Sequence, residues 1–213
     1  MSNKNKLAKF AEIDTFSNVY QHDESMKGRW YTAFDAKRPL VLELACGKGE
    51  YTVGQARMYP DRNYVGLDIK GNRIWRGAKT ALEENIQNAA FLRCLINHID
   101  RYFDEGEVSE IWITFPDPQP RKSKAKHRLV HPRFLELYRK VGGENVIINL
   151  KTDSTFYYNY AHEVIAEEGL EILTDIADVY AWEERPPEMN IKTFYENMWL
   201  EKGKKIKYLR FKL

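Results

Sequence analysis

Two groups of residues in this sequence carry the means for chemistry. One is Phe115-Pro116-Asp117-Pro118-Gln119-Pro120-Arg121, where a carboxylate stands between prolines and is followed by Arg121, Lys122, Lys124, Lys126, His127 and Arg128. Proline fixes φ and offers no N–H, so the alternation makes a stiff turn, and an acid held there beside cations suits chemistry on a polyanion. The other is Glu43, Gly47 and Gly49, with Asp68 following about 20 residues after the turn. Glycines let the backbone approach a ligand, and an acid ending the second strand can accept two ribose hydroxyls. A dinucleotide fingerprint would need a third glycine where Thr52 stands, and only donors where Glu50 stands. A carboxylate at that point suits a cationic ligand better, and S-adenosylmethionine, with its sulfonium and ammonium, is such a ligand. Each group also has a plainer reading: Glu43 and Asp68 as polar strand ends, and Asp117 as the cap of its own turn.

The elements that must position these residues alternate in type. Leu40–Leu44, Asn63–Asp68, Ala90–Leu95, Ile111–Phe115 and Val146–Leu150 are apolar and rich in β-branched or aromatic residues, as buried parallel strands are. Between them, Glu50–Tyr59, Ile74–Asn85, Phe134–Lys140 and Tyr157–Glu168 read as helices. Ile74, Ala78, Ala81 and Leu82 share one face of the second. Leu170–Ala177 and Lys205–Leu213 follow as late strands. Alternating strand and helix imply an α/β fold, a parallel sheet with helices on both faces. Asp117 then lies at the carboxyl ends of the strands, the edge where open α/β sheets bind ligands. Residues 1–35 show no clean period, and are expected to form an arm attached to a domain over residues 36–213. Gly28-Arg29-Trp30-Tyr31 is expected to cover one end of the core, while Lys4, Lys6 and Lys9 are candidates to touch phosphate.

Composition narrows the class. A chain of 213 residues, 43% hydrophobic and 30% charged, suits one compact domain with a substantial core. No apolar run approaches a membrane span, and the first residues lack the apolar region of a signal peptide, so a cytoplasmic protein is expected. Cys46 and Cys94 stand far apart, and the five histidines show no ligand spacing, so neither a disulfide frame nor a metal site is expected. With a net charge of only +2, binding to nucleic acid must rely on a local patch. Monomer and homodimer both fit.

The glycine segment, the Phe115–Arg121 run, Lys151-Thr152-Asp153 and Thr193-Phe194-Tyr195-Glu196 occur in the order found in the bacterial tRNA (guanine(46)-N7)-methyltransferases, which the chain resembles from about Leu40 onward. The resemblance implies a class I S-adenosylmethionine-dependent methyltransferase fold, Rossmann-like, with a mostly parallel seven-stranded sheet whose last strand is antiparallel. It implies that Glu43, Gly47, Gly49 and Asp68 bind S-adenosylmethionine and that Asp117 is catalytic beside the methyl donor. Arg121, Asp153, Thr193, Tyr195 and Glu196 would bind the tRNA nucleoside. The sequence departs from the family in two ways. Gln119 replaces a usual tryptophan, and Cys94-Leu95-Ile96-Asn97-His98 lacks the usual acid after the third strand, leaving backbone groups or the Asn97 amide to meet the adenine.

Guanine N7 already holds an in-plane lone pair, so its methylation needs alignment and stabilisation of the charge arriving on the purine more than proton removal. An anionic Asp117 would supply the latter. The guanine pairing edge presents two donors that one carboxylate can accept together. Glu196, with Thr193, is the first candidate reader and Asp153 the second. Tyr195 is expected to stack on the base or pack beneath it. Phosphate contacts are expected from Arg121 to Arg133, and from the tail cations Lys202, Lys204, Lys205, Lys207, Arg210 and Lys212, with Tyr208 and Phe211 interleaved. The tail reads equally as an edge strand kept soluble by lysines. Two other functions stay open. One is a class I methyltransferase acting on a small molecule or protein, which the basic run argues against. The other is a non-catalytic RNA-binding relative, which the intact acids argue against.

Overall fold

The structure, a computed structural model, describes residues 3–143 and 145–213; the side chains of residues 3–6, among them the expected phosphate contacts Lys4 and Lys6, lie outside the described residues. Eight strands form one sheet: β1 (Val19–Gln21), β2 (Leu40–Leu44), β3 (Asn63–Asp68), β4 (Ala89–Arg93), β5 (Glu110–Thr114), β6 (Ile147–Thr152), β7 (Glu171–Ile176) and β8 (Lys207–Lys212). Their order is β1-β4-β3-β2-β5-β6-β8-β7, parallel throughout except that β8 runs antiparallel to both β6 and β7. Among the described residues six α-helices accompany it: α1 (Asn3–Ile13), α2 (Glu50–Met58), α3 (Gly71–Glu83), α4 (Pro132–Gly142), α5 (Thr155–Glu167) and α6 (Phe194–Glu201).

The strand count is eight, not the seven expected, because Val19–Gln21 adds an edge strand beside β4, with Val19 opposite Phe91. Three residues of intermediate burial give no period to read, so only tertiary pairing reveals this strand. The segment around it is held firmly. The Trp30 ring is buried and stacks on Phe103 at 5.1 Å, and its indole N–H donates to the Tyr102 carbonyl at 2.8 Å. Helix α1 packs on α3, where the Glu12 carboxylate accepts from Trp75 Nε1 and Lys79 Nζ, both at 2.7 Å.

Both sheet faces are covered, which is why β2 and β3 are buried along their whole length. On one face Leu42, Leu44, Val65, Ile111, Ile113 and Ile148 meet Leu135 and Tyr138 of α4 and Ala161 and Val164 of α5. On the other, Val41, Tyr64, Trp112 and Tyr208 meet Tyr51 and Ala56 of α2 and Ile74, Ala78 and Ala81 of α3. Leu82, expected on the buried side of α3, is 40% exposed; Gly77 takes an inner position, where a Cβ would strike the Lys48 carbonyl of the glycine turn and the Phe91 ring of β4. Strand β8 is interior, paired on both sides, so it is not the lysine-protected edge expected; the edge on that side is β7, which carries no lysine and exposes Ile172 and Leu173. Tyr208 and Phe211 are buried core residues, not an exposed stacking strip.

Candidate functional site

Strand order reverses between β2 and β5, and in such sheets the diverging loops open a crevice at the carboxyl ends of the strands. The register puts Leu44 beside both Leu67 and Ile113, and Thr114 beside Lys151, so Ala45, Asp68, Phe115 and Asp153 all emerge at one edge. Ala45 and Phe115, the first residues beyond β2 and β5, both take left-handed φ, +55° and +49°. That conformation is costly for residues bearing a Cβ and turns each chain sharply off the sheet. Between them lies a cavity of about 1420 Å³. Its wall includes Gly47, Asp68, Asp117, Asp153, Thr193 and Tyr195. Six residues singled out from separate parts of the sequence thus share one opening.

Asp68 is buried, and its two oxygens accept from the backbone N–H groups of Gly47 at 3.0 Å and Lys70 at 2.8 Å. Gly47 has φ +58°, and a Cβ there would meet nothing nearer than the Ala45 carbonyl oxygen at 4.0 Å, so the turn lies open at that point. Carboxylates of Glu50, Asp68, Asp117 and Asp153 line the same space. Such a set of acceptors fits a ligand carrying positive charge and vicinal hydroxyls, the chemistry expected of S-adenosylmethionine.

Asp117 is exposed at the rim, where one oxygen accepts from Gln119 N at 3.2 Å and the other from Gln119 Nε2 at 2.9 Å. The turn cap and the cavity position are therefore both features of one side chain. Gln119 fastens the acid with both its backbone N–H and its side-chain amide. The Gln119 carbonyl in turn accepts from Arg128 Nε at 3.2 Å and a second guanidinium nitrogen at 3.0 Å, with φ +44° at Gln119. Arg128 is buried and lies over the rings of Tyr160 at 4.2 Å and Phe156 at 4.8 Å. It is a clamp on the proline loop, which corrects its expected role as a phosphate contact. Arg121, Lys122, Lys124, Lys126 and His127 remain exposed on a 3₁₀ turn, with Arg121 off the cavity wall.

Four other expectations meet a different geometry. Glu43 lies behind the wall: Thr114 Oγ1 donates to it at 2.7 Å, Thr52 N at 2.8 Å, and the Thr52 hydroxyl also bonds to it. Burial pushes its carboxyl up to about 7 against the opposing pull of the threonine donors. Gly49 stands off the cavity, at the start of α2 with φ +69°, where a Cβ would strike the Phe91 ring at 2.5 Å; close packing of helix on sheet requires it. Asn97 is exposed on a short 3₁₀ segment and also lies off the cavity wall.

Glu196 is fully buried and forms an ion pair with the equally buried Lys151 at 2.7 Å, so it does not reach the cavity. Tyr180 OH donates to its Oε1 at 2.9 Å, while Oε2 has no partner among the described residues. Lys151 also donates to the carbonyls of Met189 at 3.0 Å and Ile191 at 3.4 Å. Burial lowers the Lys151 pKa, opposed by the Glu196 charge. One buried ammonium therefore ties the segment from 189 to 196 onto β6. What this segment offers the cavity is Thr193, which caps α6 by accepting from Glu196 N at 3.1 Å, and two exposed rings, Phe194 and Tyr195, set edge to face at 5.5 Å. Phe194 was not singled out from the sequence; an exposed aromatic next to a motif tyrosine was the available signal. Asp153 is paired with Lys204 at 2.6 Å, and Lys204, Lys205 and Lys207 line the cavity, whereas Arg210 and Lys212 do not.

Comparison with known proteins follows the same lines. A family described as "Putative methyltransferase" matches residues 37–209. The tRNA (guanine-N(7)-)-methyltransferase of Christiangramia forsetii is 49% identical, with 100% of each chain covered. That of Bacteroides fragilis is 47% identical, covering 99% of this chain and 86% of its own. Among solved structures, the 16S rRNA methyltransferase KamB superposes with a TM-score of 0.64 at 15% identity, covering 87% of this chain and 91% of its own. A 16S rRNA (adenine(1408)-N(1))-methyltransferase from Catenulisporales acidiphilia, solved with its cosubstrate SAM, superposes with a TM-score of 0.56 at 12% identity, covering 89% and 91%. These two establish likeness of fold.

Proposed function

The chain belongs to the tRNA (guanine-N(7)-)-methyltransferase family, a class I methyltransferase that methylates guanine N7 in tRNA, and from that premise we propose how its own residues do so. S-adenosylmethionine supplies the methyl group as an electrophile. Asp68, already fixed by two backbone N–H groups, accepts the ribose hydroxyls, with the open backbone of Gly47 beside it. Glu43 acts from behind the wall, keeping Thr114 and the start of α2 in position.

On the substrate side, the guanine enters against Phe194 and Tyr195, whose exposed faces offer a stacking platform worth about 1–3 kcal/mol per base. Asp153 and Thr193 meet its polar edge, and Lys204 holds Asp153 in place until the base competes for it. Asp117 stands at the rim and stabilises the positive charge that arrives on the purine as N7 bonds to carbon. No proton need leave N7 first, so an exposed carboxylate held by Gln119 suits the task better than a buried base would. Arg121 and the exposed cations after it meet the phosphates. Residues 36–213 form the methyltransferase domain, and residues 1–35 an N-terminal arm that packs on it through Ile13, Val19–Gln21, Met26 and Trp30. The target is the variable-loop guanosine at position 46, and tRNA as substrate puts the reaction in the cytoplasm.

The observation that carries this reading is that Gly47, Asp68, Asp117 and the Phe194–Tyr195 pair line one cavity. The experiment is incubation with labelled S-adenosylmethionine and unmodified tRNA, then nucleoside analysis. Label in 7-methylguanosine, absent from a transcript with position 46 changed to adenosine, is expected. Label in another nucleoside, or persisting in that transcript, overturns the assignment of base or position.

A further inference from the structure

A second groove, of about 880 Å³, opens beside the reaction cavity between α2, α3 and the segment before α6. Lys48, Glu50 and Arg73 line both spaces, so the two are continuous. Its cations are Lys9 from α1, Lys48 from the glycine turn, Arg57 from α2, Arg73 and Arg76 from α3, and Lys192. Glu50 is the one acid among the lining residues, and its Oε2 already accepts from Phe194 N at 3.1 Å. Arg57 is neutralised by Glu84, with contacts of 2.7 and 2.6 Å, which leaves five cations. Among the described residues, none of those five forms an ion pair. For a chain whose net charge is only +2, this is a strong local concentration.

The groove also has a built geometry. Lys9 is held over the Trp75 ring at 4.1 Å, and that ring is fixed by its N–H bond to Glu12. Lys48 lies over Phe194 at 4.3 Å, next to the stacking pair at the cavity mouth. The N-terminal turns of α2 and α3 both contribute, with Glu50 and with Asn72 and Arg73. Folding therefore draws cations from four separate segments into a line that starts at the reaction cavity and runs away from it over α2 and α3.

We propose that this groove is the track for the sugar–phosphate backbone of the tRNA on one side of the target guanine. A strand that puts one base into the cavity must leave in two directions. The exposed turn after Arg121 receives one limb, and the groove receives the other. Arginine and lysine contacts of this kind position a strand without reading its sequence, which suits a segment whose only base read by the enzyme is the one in the cavity. The proposal rests on tRNA being the substrate.

The test compares the full-length wild type with Arg76→Gln/Lys192→Gln, two groove residues that do not line the reaction cavity. A control, Lys37→Gln/Lys140→Gln, removes equal charge outside the groove, before β2 and in the last turn of α4. Affinity for tRNA is measured at several salt concentrations, alongside affinity for S-adenosylmethionine. The groove variant is expected to lower tRNA affinity about tenfold and to flatten the salt dependence by about one to two, with cofactor affinity unchanged and the control near wild type. Unchanged tRNA affinity and slope, an equal loss in the control, or a parallel loss of cofactor affinity would each overturn it. Wild-type methylation of tRNA in the same preparation separates failure of the groove from failure of the substrate assignment.

Discussion

Replacing Lys151 by methionine would leave the Glu196 carboxylate sealed in the interior without its counter-ion. Both side chains are 0% exposed, and among the described residues their 2.7 Å contact is backed only by Tyr180 on the carboxylate side. Uncompensated burial of one charge costs about 3–5 kcal/mol, and the two strap carbonyls of Met189 and Ile191 lose their donor as well. For a chain of this size about 2–4 °C of Tm accompanies each kcal/mol, so Lys151→Met should melt roughly 6–20 °C below wild type. Methionine nearly matches the lysine stem in volume, so the loss is electrostatic rather than a cavity effect. Lys151→Met/Glu196→Gln removes both charges and should regain most of that loss, because a buried pair contributes little net stability compared with a neutral replacement. Thermal denaturation followed by far-UV circular dichroism decides it. A single variant within about 2 °C of wild type, or a double variant no better than the single, would refute the electrostatic reasoning.

Glu43 predicts a pH effect of definite sign. Its carboxyl is raised from 4.5 to about 7 in the folded protein, so its contribution is fully present below pH 4.5 and is lost as pH rises through 7, roughly 3 kcal/mol at most. Glu43→Gln should remove that component from a plot of Tm against pH; an unaltered slope would show that Glu43 is not its source. Asp117→Ala should lower kcat about 10²-fold while tRNA affinity changes little, read by steady-state methylation. Loss in KM alone would make Asp117 a binding group. Arg128→Ala frees the Gln119 carbonyl and should lower kcat about tenfold, and Arg128→Lys should not rescue it, since an ammonium has no planar fork to bridge the carbonyl. Full activity in the lysine variant would contradict the clamp.

The strands that build the crevice were legible because their residues admit one reading. Leu40–Leu44 is apolar at every position but Glu43, bounded by Pro39 and the glycine turn, and the strand occupies those residues. What sequence could not carry was partnership between distant segments. Alternating lysines and aromatics in Lys207–Lys212 look the same on an edge strand as on one paired on both sides; only the insertion of β8 between β6 and β7 distinguishes them. Arg128 reads as one more cation in a basic run until Tyr160 and Phe156, some thirty residues on, cover it. Glu196 and Lys151 each look like surface charges, and their burial follows from meeting each other. Gly49 was legible as a necessary glycine, but the reason for it is Phe91 on β4.

The site claim turns on how the two halves of the crevice face one bound molecule, and a crystal structure with S-adenosylhomocysteine tests it most directly. The ribose hydroxyls should bond to Asp68 and the sulfur should face the side of the cavity where Asp117 stands, with Phe194 and Tyr195 beyond it. Sulfur directed away from Asp117, or the nucleoside seated over α2 and α3 instead, would contradict it.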